Sequence, residues 1–567
     1  MGDKFTQYRA LIRRCGVGAA LVVVFFLYSL LIPFSFQGSS VRLNAPDEMA
    51  NYFFAKHLAQ SGEIGLAVPW SVETSGHLHP RSATIIDGRM LPVGFLGLVV
   101  LYGGMAALFG IWVLPFITPC LAVLGGVAWY WLLRRVFSPV VAMTSAGLLL
   151  LHPAYWYNAA RGFLPNVPFV SMLMIGLALW SVPRRRAGWV WWILGGLFVG
   201  LALTVRLSEL PWVIGALLIV GTALMRNWRV HWLRGIMGLI SMVIPVLAML
   251  WLNNTIYHDP LVGGYQTGGV PALQQASTVA KSIAGADFWS HMSIVSLRES
   301  GAQLVAALLP FGIHPDVLWA NFLVYGVKFF MPWTICALIG GLLVLRWIAS
   351  ADAIYIRNRS GGLIYLIISL GVSAWLVLFY GSWVFYDNIS KGVTLGASYI
   401  RYWLPMFILT TPLIASGLVA VIQHRKGKKL RRFLMSLIVL AVAVCSGLVT
   451  ISSPHEGLWA VSRALIGYQA KFQQIQAVTP ANAIIVSARS DKIFFPERTA
   501  ATDFEPFQEL PLVAPIALVQ PLYYYGAWPV GDIAYINRRF FEQYHLALQS
   551  VASLGDGEAL YRVVPTP

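Results

Sequence analysis

The residues best placed to do chemistry stand in Asn44-Ala45-Pro46-Asp47-Glu48-Met49-Ala50-Asn51-Tyr52, an acidic pair opening a short helix. Pro46 suits the first helical turn, Asn44 can cap it, and Tyr52, Phe53, Ala55, Leu58 and Ala59 form an apolar stripe that Gly62 ends. That makes an amphipathic helix expected at a membrane surface. Asp47 and Glu48 sit where the helix dipole favours negative charge, so either can take a proton from a hydroxyl or meet a cation. The competing reading is a pair of ordinary first-turn acids. His77-Leu78-His79 presents two imidazoles on one side of an extended segment, which makes Asp47, His77 and His79 candidate ligands for a divalent cation, Mg or Mn. A solvated or hydrogen-bonded loop pair is the alternative for the two histidines.

Basic residues supply the opposite charge. Arg206 lies near the end of an apolar span with Glu209 one turn on, and charge within a membrane is costly enough to be functional by default. The same two residues could instead form a pair that only locks two helices. Arg161, Arg298, Lys328 and Arg401 are further candidates for a lipid phosphate, against the alternative that each is an anchor at headgroup level.

The elements that carry these residues are membrane spans. Of the 567 residues, 58% are hydrophobic and only 11% are charged, which fits no soluble globular chain of this length. The four cysteines (Cys15, Cys120, Cys336, Cys445) fall in or beside apolar runs and show neither a disulfide framework nor zinc spacing. A net charge of +17 raises the question of nucleic acid, but its distribution answers it. The basic residues gather in short connections, at Arg134-Arg135, Arg184-Arg185-Arg186, Arg226 to Arg234, Arg346 to Arg359 and Arg425 to Arg432. These alternate with connections poor in Lys and Arg, as the positive-inside rule requires.

With the basic turns taken as cytoplasmic, about eleven spans are expected, near 15–36, 112–133, 139–151, 167–182, 189–205, 209–225, 235–252, 326–348, 363–380, 402–422 and 433–451. The first reads as a retained signal anchor with its amino end in the cytoplasm. The apolar piece 91–109 does not fit this count and is expected to be an interfacial or re-entrant helix. The exterior then receives a long first loop (37–111), a short aromatic turn (152–166), a third loop (253–325) and a fourth (381–401). From about 452 alternation replaces long apolar runs. A small exterior α/β domain, 452–567, is expected beside a transmembrane domain, 1–451, with strands at Ala483 to Ser487, Leu522 to Gly526 and Glu558 to Val564. Pro511 to Gln520 reads as helix or strand, and Asp532 to His545 as helix.

One family shares this layout. Pro46-Asp47-Glu48-x-x-x-Tyr52-x-x-x-Lys56-x-Leu58-Ala59-x-x-Gly62, then Leu91-Pro92 through Leu108-Phe109-Gly110, and Tyr399-Ile400-Arg401-Tyr402-Trp403-Leu404-Pro405 resemble the GT-C superfamily of membrane glycosyltransferases. The protein O-mannosyltransferase and lipid A aminoarabinose transferase group is the nearest in pattern. The resemblance covers the first 210 residues best and the rest by layout. It implies a GT-C-like helical bundle with interfacial helices in the first exterior loop and a polyprenyl-phosphate-linked sugar donor. It also implies a glycan, lipid or protein acceptor, and Asp47, with Glu48 beside it, as base or metal ligand. Tyr52, Asn166 and His79 are then expected at the acceptor or sugar, and Arg206, Arg401, Arg298 and Arg161 at the donor phosphate. Many relatives carry a second acid where Asn166 stands; an amide cannot act as a base, though its oxygen can meet a sugar hydroxyl or a hard cation.

The chemistry agrees with an inverting displacement. A departing lipid phosphate is a stable anion that needs positive charge, whereas the attacking hydroxyl must lose a proton, which one carboxylate can accept. The expected setting is a plasma (inner) membrane with the C-terminal domain outside, although an endoplasmic reticulum membrane would obey the same charge rule. A transporter or lipid flippase is the rival reading; the absence of a repeated hydropathy pattern and the loop position of the acid stand against it. A third possibility is an inactive relative whose exterior domain binds glycan or protein.

Overall fold

The computed structural model describes residues 2–37, 40–182, 188–224, 228–261, 309–350, 356–384, 392–423, 427–502 and 507–566. The chain divides into two compact units. A helical unit comprises Met1–Leu30, Pro115–Leu252 and Pro271–Ala460, and a mixed α/β unit comprises Leu31–Leu114, Asn253–Val270 and Val461–Pro567.

Helices occupy each expected span: Gly2–Tyr28, Leu114–Leu133, Pro139–Leu151, Asn166–Trp180, Gly188–Val205, Leu210–Leu224, Trp228–Tyr257, Met331–Ala349, Arg359–Gly381, Leu404–Gln423 and Lys428–Ser452. Among the described residues, eight helices are long and apolar enough to cross a membrane. Pro139–Leu151 and Asn166–Trp180 are shorter, in keeping with spans that thin the bilayer or line a cavity. Lipid tails are as apolar as the side chains, so helix association in this unit relies on close backbone approach. Gly340 provides one such approach: a Cβ there would lie 1.9 Å from the Leu413 carbonyl oxygen, so only glycine lets Met331–Ala349 meet Leu404–Gln423. Some buried polar groups pair across helices, as where Trp129 Nε1 donates to Thr411 Oγ1 at 3.1 Å and to Ser145 Oγ at 3.2 Å.

The mixed unit is built around a five-stranded sheet of order Thr499–Thr502, Ile484–Ser487, Leu522–Gly526, Glu558–Pro565, Leu546–Gly555. The first three strands run parallel and the last two pair antiparallel. Two strands differ from expectation. Thr499–Thr502 is too short and small-sided to announce itself, and Leu546–Gly555 follows directly on the helical stretch that His545 closes in a left-handed conformation. That stretch is a chain of short α, π and 3-10 turns rather than one helix, and 510–518 is helical.

The 37–111 loop belongs to this unit. Leu78 is 2% exposed and lies in the apolar core with Ile484, Val486, Phe507, Leu522 and Phe541, while Val68 and Trp70 pack against it. The boundary expected at 451/452 therefore divides in sequence what is joined in one core. Within the loop, Ala83–Ile86 and Arg89–Pro92 form a hairpin whose central Asp87 and Gly88 both have positive φ, the requirement of a type I′ turn. The apolar piece expected at 91–109 begins as the end of this strand and becomes a helix only at Leu96–Phe109. It packs on the Pro46–Ser61 helix, where Gly103 faces the Ala55 carbonyl so closely that a Cβ would sit 3.0 Å from it.

Candidate active site

In the mixed unit, Pro46–Ser61 starts as the sequence suggests but is capped differently. Ala45 rather than Asn44 holds the cap position, and Glu48 reaches back so that its Oε2 accepts from the Ala45 N–H at 2.8 Å. Glu48 is 1% exposed. Its carboxylate thus serves the helix terminus, where a second catalytic acid was expected. Asp47, one residue earlier, is half-buried, and its Oδ1 accepts from Ser82 Oγ at 2.6 Å. One carboxylate of the pair is committed to folding and the other to a hydroxyl outside its own helix.

Tyr52 is buried against Phe36, with ring centroids 5.5 Å apart, and burial with the nearby Glu497 charge pushes its phenol up to about 12. Its ring packs within the unit, where a contact with acceptor or sugar was expected. His77 and His79 flank buried Leu78 as an extended segment requires, yet each imidazole has a local partner. His77 Nδ1 lies 2.9 Å from the Thr74 carbonyl and its Nε2 3.4 Å from Glu509, and His79 Nδ1 lies 2.9 Å from the Pro80 carbonyl. Among the described residues no group of three or more His, Cys, Asp or Glu side chains could hold a metal ion. The expected Asp47, His77 and His79 ligand set is not assembled, and the chemistry below is that of the chain's own side chains.

Burial lowers the His79 value from its ordinary 6.5, an effect only partly offset by the Pro80 carbonyl and by Asp491 and Glu509. The unfolded chain consequently takes up the proton first as pH falls. The stabilising contribution is complete above about 6.5 and is lost as pH drops through that value toward the lower folded-state one. Thermal unfolding of His79→Gln is expected to vary less between pH 7.5 and 5.5 than that of the parent. Identical pH dependence in the two proteins would remove His79 as the cause.

The helical unit brings a second set together around Tyr402. The guanidinium carbon of Arg206 lies 4.7 Å from the Tyr402 ring centroid and that of Arg401 lies 5.1 Å from it, within cation–π reach. Tyr380 stacks on the same ring at 4.6 Å. Arg206 and Glu209 are each 2% exposed. Arg206 donates to Glu209 Oε1 from Nε at 3.1 Å and Nη2 at 2.6 Å, and Tyr380 Oη donates to the same oxygen at 2.9 Å. The buried pair foreseen as a lock is thus formed, on a tyrosine platform that also carries Arg401.

Asn166 Nδ2 donates 2.8 Å to the Arg401 carbonyl, and Arg401 Nη2 donates 3.0 Å to Ser398 Oγ. Asn166, Arg206 and Arg401 are therefore neighbours, which their spacing in sequence does not show. The amide that stands where relatives carry an acid holds the arginine's backbone. Arg161 is 7% exposed and donates from Nη1 to Tyr157 Oη at 2.8 Å. Arg298 lies outside the described residues. Sequence reasoning missed Ser82, Tyr380 and Tyr402 as site groups, along with the ion pair of Arg81 with Asp491 at 2.6 Å. Tyr402 was visible within the Tyr399-Ile400-Arg401-Tyr402 run; the others depend on contacts far apart in the chain.

No family model matches the sequence, and a search of curated proteins returns no match. Solved structures do match. ArnT from Cupriavidus metallidurans bound to undecaprenyl phosphate is 14% identical with a TM-score of 0.50, over 96% of this chain and 98% of that one. The archaeal oligosaccharyltransferase AglB from Archaeoglobus fulgidus, in complex with an inhibitory peptide and a dolichol-phosphate, is 12% identical with a TM-score of 0.46, over 89% and 69%. An Archaeoglobus fulgidus oligosaccharyltransferase in complex with Zn and sulfate gives 12% identity and a TM-score of 0.46, over 96% and 73%. At such identity the first match speaks to fold and the other two add no weight. This chain is a polytopic membrane protein that shares its fold with ArnT.

Proposed function

We propose that the protein transfers a sugar, a hexosyl or pentosyl group, from a polyprenyl-phosphate-linked donor to an acceptor hydroxyl on the non-cytoplasmic face, with inversion. The observation that carries this reading is Asp47, a carboxylate at the first turn of its helix that accepts a hydrogen bond from Ser82. The fold supports it, since ArnT, which shares that fold, is bound to undecaprenyl phosphate. The acceptor oxygen attacks the anomeric carbon, its proton passes to Asp47 Oδ, and the bond from that carbon to the lipid phosphate oxygen breaks. The leaving phosphate needs positive charge. Arg401 and Arg161 supply it, with Arg206 beside Arg401 on Tyr402 and held by Glu209. Asn166 sets Arg401 through its carbonyl. The alternating charge of the connections supports an amino end in the cytoplasm and a C-terminal sheet outside, in a membrane we assign as the plasma (inner) membrane.

Purified protein in liposomes, given undecaprenyl-phosphate sugars and a panel of glycan, lipid and peptide acceptors, is expected to release undecaprenyl phosphate and glycosylate one acceptor class by mass spectrometry. Solute uptake or lipid translocation by the same liposomes, with no transfer to any acceptor, would overturn the proposal in favour of a transporter or flippase.

A further inference from the structure

The C-terminal sequence meets the start of the acidic helix and its flanks through the segment 489–502. Asp491 opens a short helix after the central Ile484–Ser487 strand and is 2% exposed. Its carboxylate meets one residue of the 37–111 loop, Arg81. Arg81 donates to Asp491 Oδ1 from Nε at 2.7 Å, and its backbone N–H donates to Oδ2 at 3.0 Å, so the carboxylate grips both ends of the residue. Arg81 Nη2 also donates to the Arg489 carbonyl. The next residue is Ser82, whose hydroxyl meets Asp47. Ser82 has φ +62, a conformation that L side chains rarely adopt, so something outside the residue must hold it there. The Arg81 clamp bounds it on one side, and the Val93 N–H, which donates to the Ser82 carbonyl at 3.0 Å, on the other.

Neighbouring contacts fix the other side of Asp47. Lys492 Nζ donates 2.8 Å to the Asn44 carbonyl, just before the helix start. Phe495 packs edge-on against Phe53 with centroids 4.9 Å apart, and Glu497 takes a 2.9 Å hydrogen bond from buried Arg42. A segment more than 400 residues away in sequence therefore fixes both the backbone before Asp47 and the hydroxyl on its Oδ1.

We infer that Asp491 and Ser82 are positioning residues for Asp47, with Asp491 acting through Arg81 to hold the Ser82 hydroxyl on the carboxylate. The inference rests on Asp47 being the base. The Ser82 bond to Oδ1 restricts rotation of the Asp47 carboxylate and so sets how it meets the acceptor hydroxyl. The C-terminal sheet is then part of the catalytic apparatus through its edge segment, and not only a separate binding module.

Kinetics on four proteins test this. Ser82→Gly removes the hydroxyl at a position whose φ glycine accepts freely, so thermal unfolding is expected to stay at the parent value. Its kcat is expected to fall about 10-fold, with donor and acceptor KM unchanged. Ser82→Cys, which restores a weak donor, is expected to recover part of the loss. Asp491→Asn is expected to lower kcat as well, and the double variant to be no slower than the slower single one, since both act on one contact. Ser82→Gly at parent kcat, a change confined to KM, or a double variant whose losses multiply would each overturn the inference. Asp47→Asn, run alongside, separates the two ideas: an active Asp47→Asn removes the base itself, whereas an inactive one with a fully active Ser82→Gly removes only the positioning role.

Discussion

Asp47→Asn is expected to lower kcat for transfer about 10²- to 10⁴-fold, the range by which a positioned proton acceptor contributes. The change is nearly isosteric. Asparagine keeps an oxygen that can accept from Ser82 Oγ, so the 2.6 Å contact and the helix start are retained. What it loses is the capacity to take a proton from the acceptor hydroxyl as the new bond forms. Glu48 offers no replacement, because its carboxylate is folded back on the Ala45 N–H and buried. Binding of the lipid-linked donor, measured separately from turnover, is expected to stay within a few-fold of the parent. Turnover within a few-fold of the parent, in protein whose unfolding temperature is also unchanged, would take Asp47 out of the mechanism.

Glu48→Gln would disturb a different link, the cap of Pro46–Ser61, and this contrast shows where sequence reasoning reached its limit. The chain announces an acidic helix start through Pro46, Asp47 and Glu48, all local features. It does not announce that the two acids part company, since that depends on Glu48 turning back and Ser82 arriving from 35 residues on. The spans were legible for the same reason: a run of apolar residues long enough for a bilayer is a local property, and helices stand at each expected position. The Asp87-Gly88 hairpin was also open to reading, as an Asp-Gly pair is its turn signal. Thr499–Thr502 was not, because four small residues acquire strand character only from the parallel partner Ile484–Ser487. Nor could the sequence place Leu78 in a core made mostly of residues beyond 480, because that is a matter of packing rather than of pattern.

The basic cluster of the helical unit shows how a charge that is conspicuous in sequence can have two roles, and stability measurements separate them. Glu209→Gln is expected to destabilise the helical unit by about 3–5 kcal/mol, the cost of leaving one member of a buried ion pair uncompensated. The magnitude follows from how much converges on that carboxylate. It accepts from two nitrogens of Arg206, from Tyr380 Oη and, through Oε2, from Trp212 Nε1, and neither Arg206 nor Glu209 is more than 2% exposed. A glutamine keeps one acceptor oxygen but cannot neutralise the guanidinium, so a buried cation is left beside the Tyr402 ring. Replacing both partners with leucine is expected to recover most of the lost stability, because an apolar pair avoids the desolvation cost of both charges. If Arg206 only braces the helix junction, this double variant regains transfer along with stability. If Arg206 also attracts the lipid phosphate, stability returns while donor KM stays raised, and Arg401→Leu, which leaves the Arg206–Glu209 pair untouched, raises donor KM by itself. Thermal unfolding of Glu209→Gln indistinguishable from the parent would show that the charge pair carries little of the helical unit's stability.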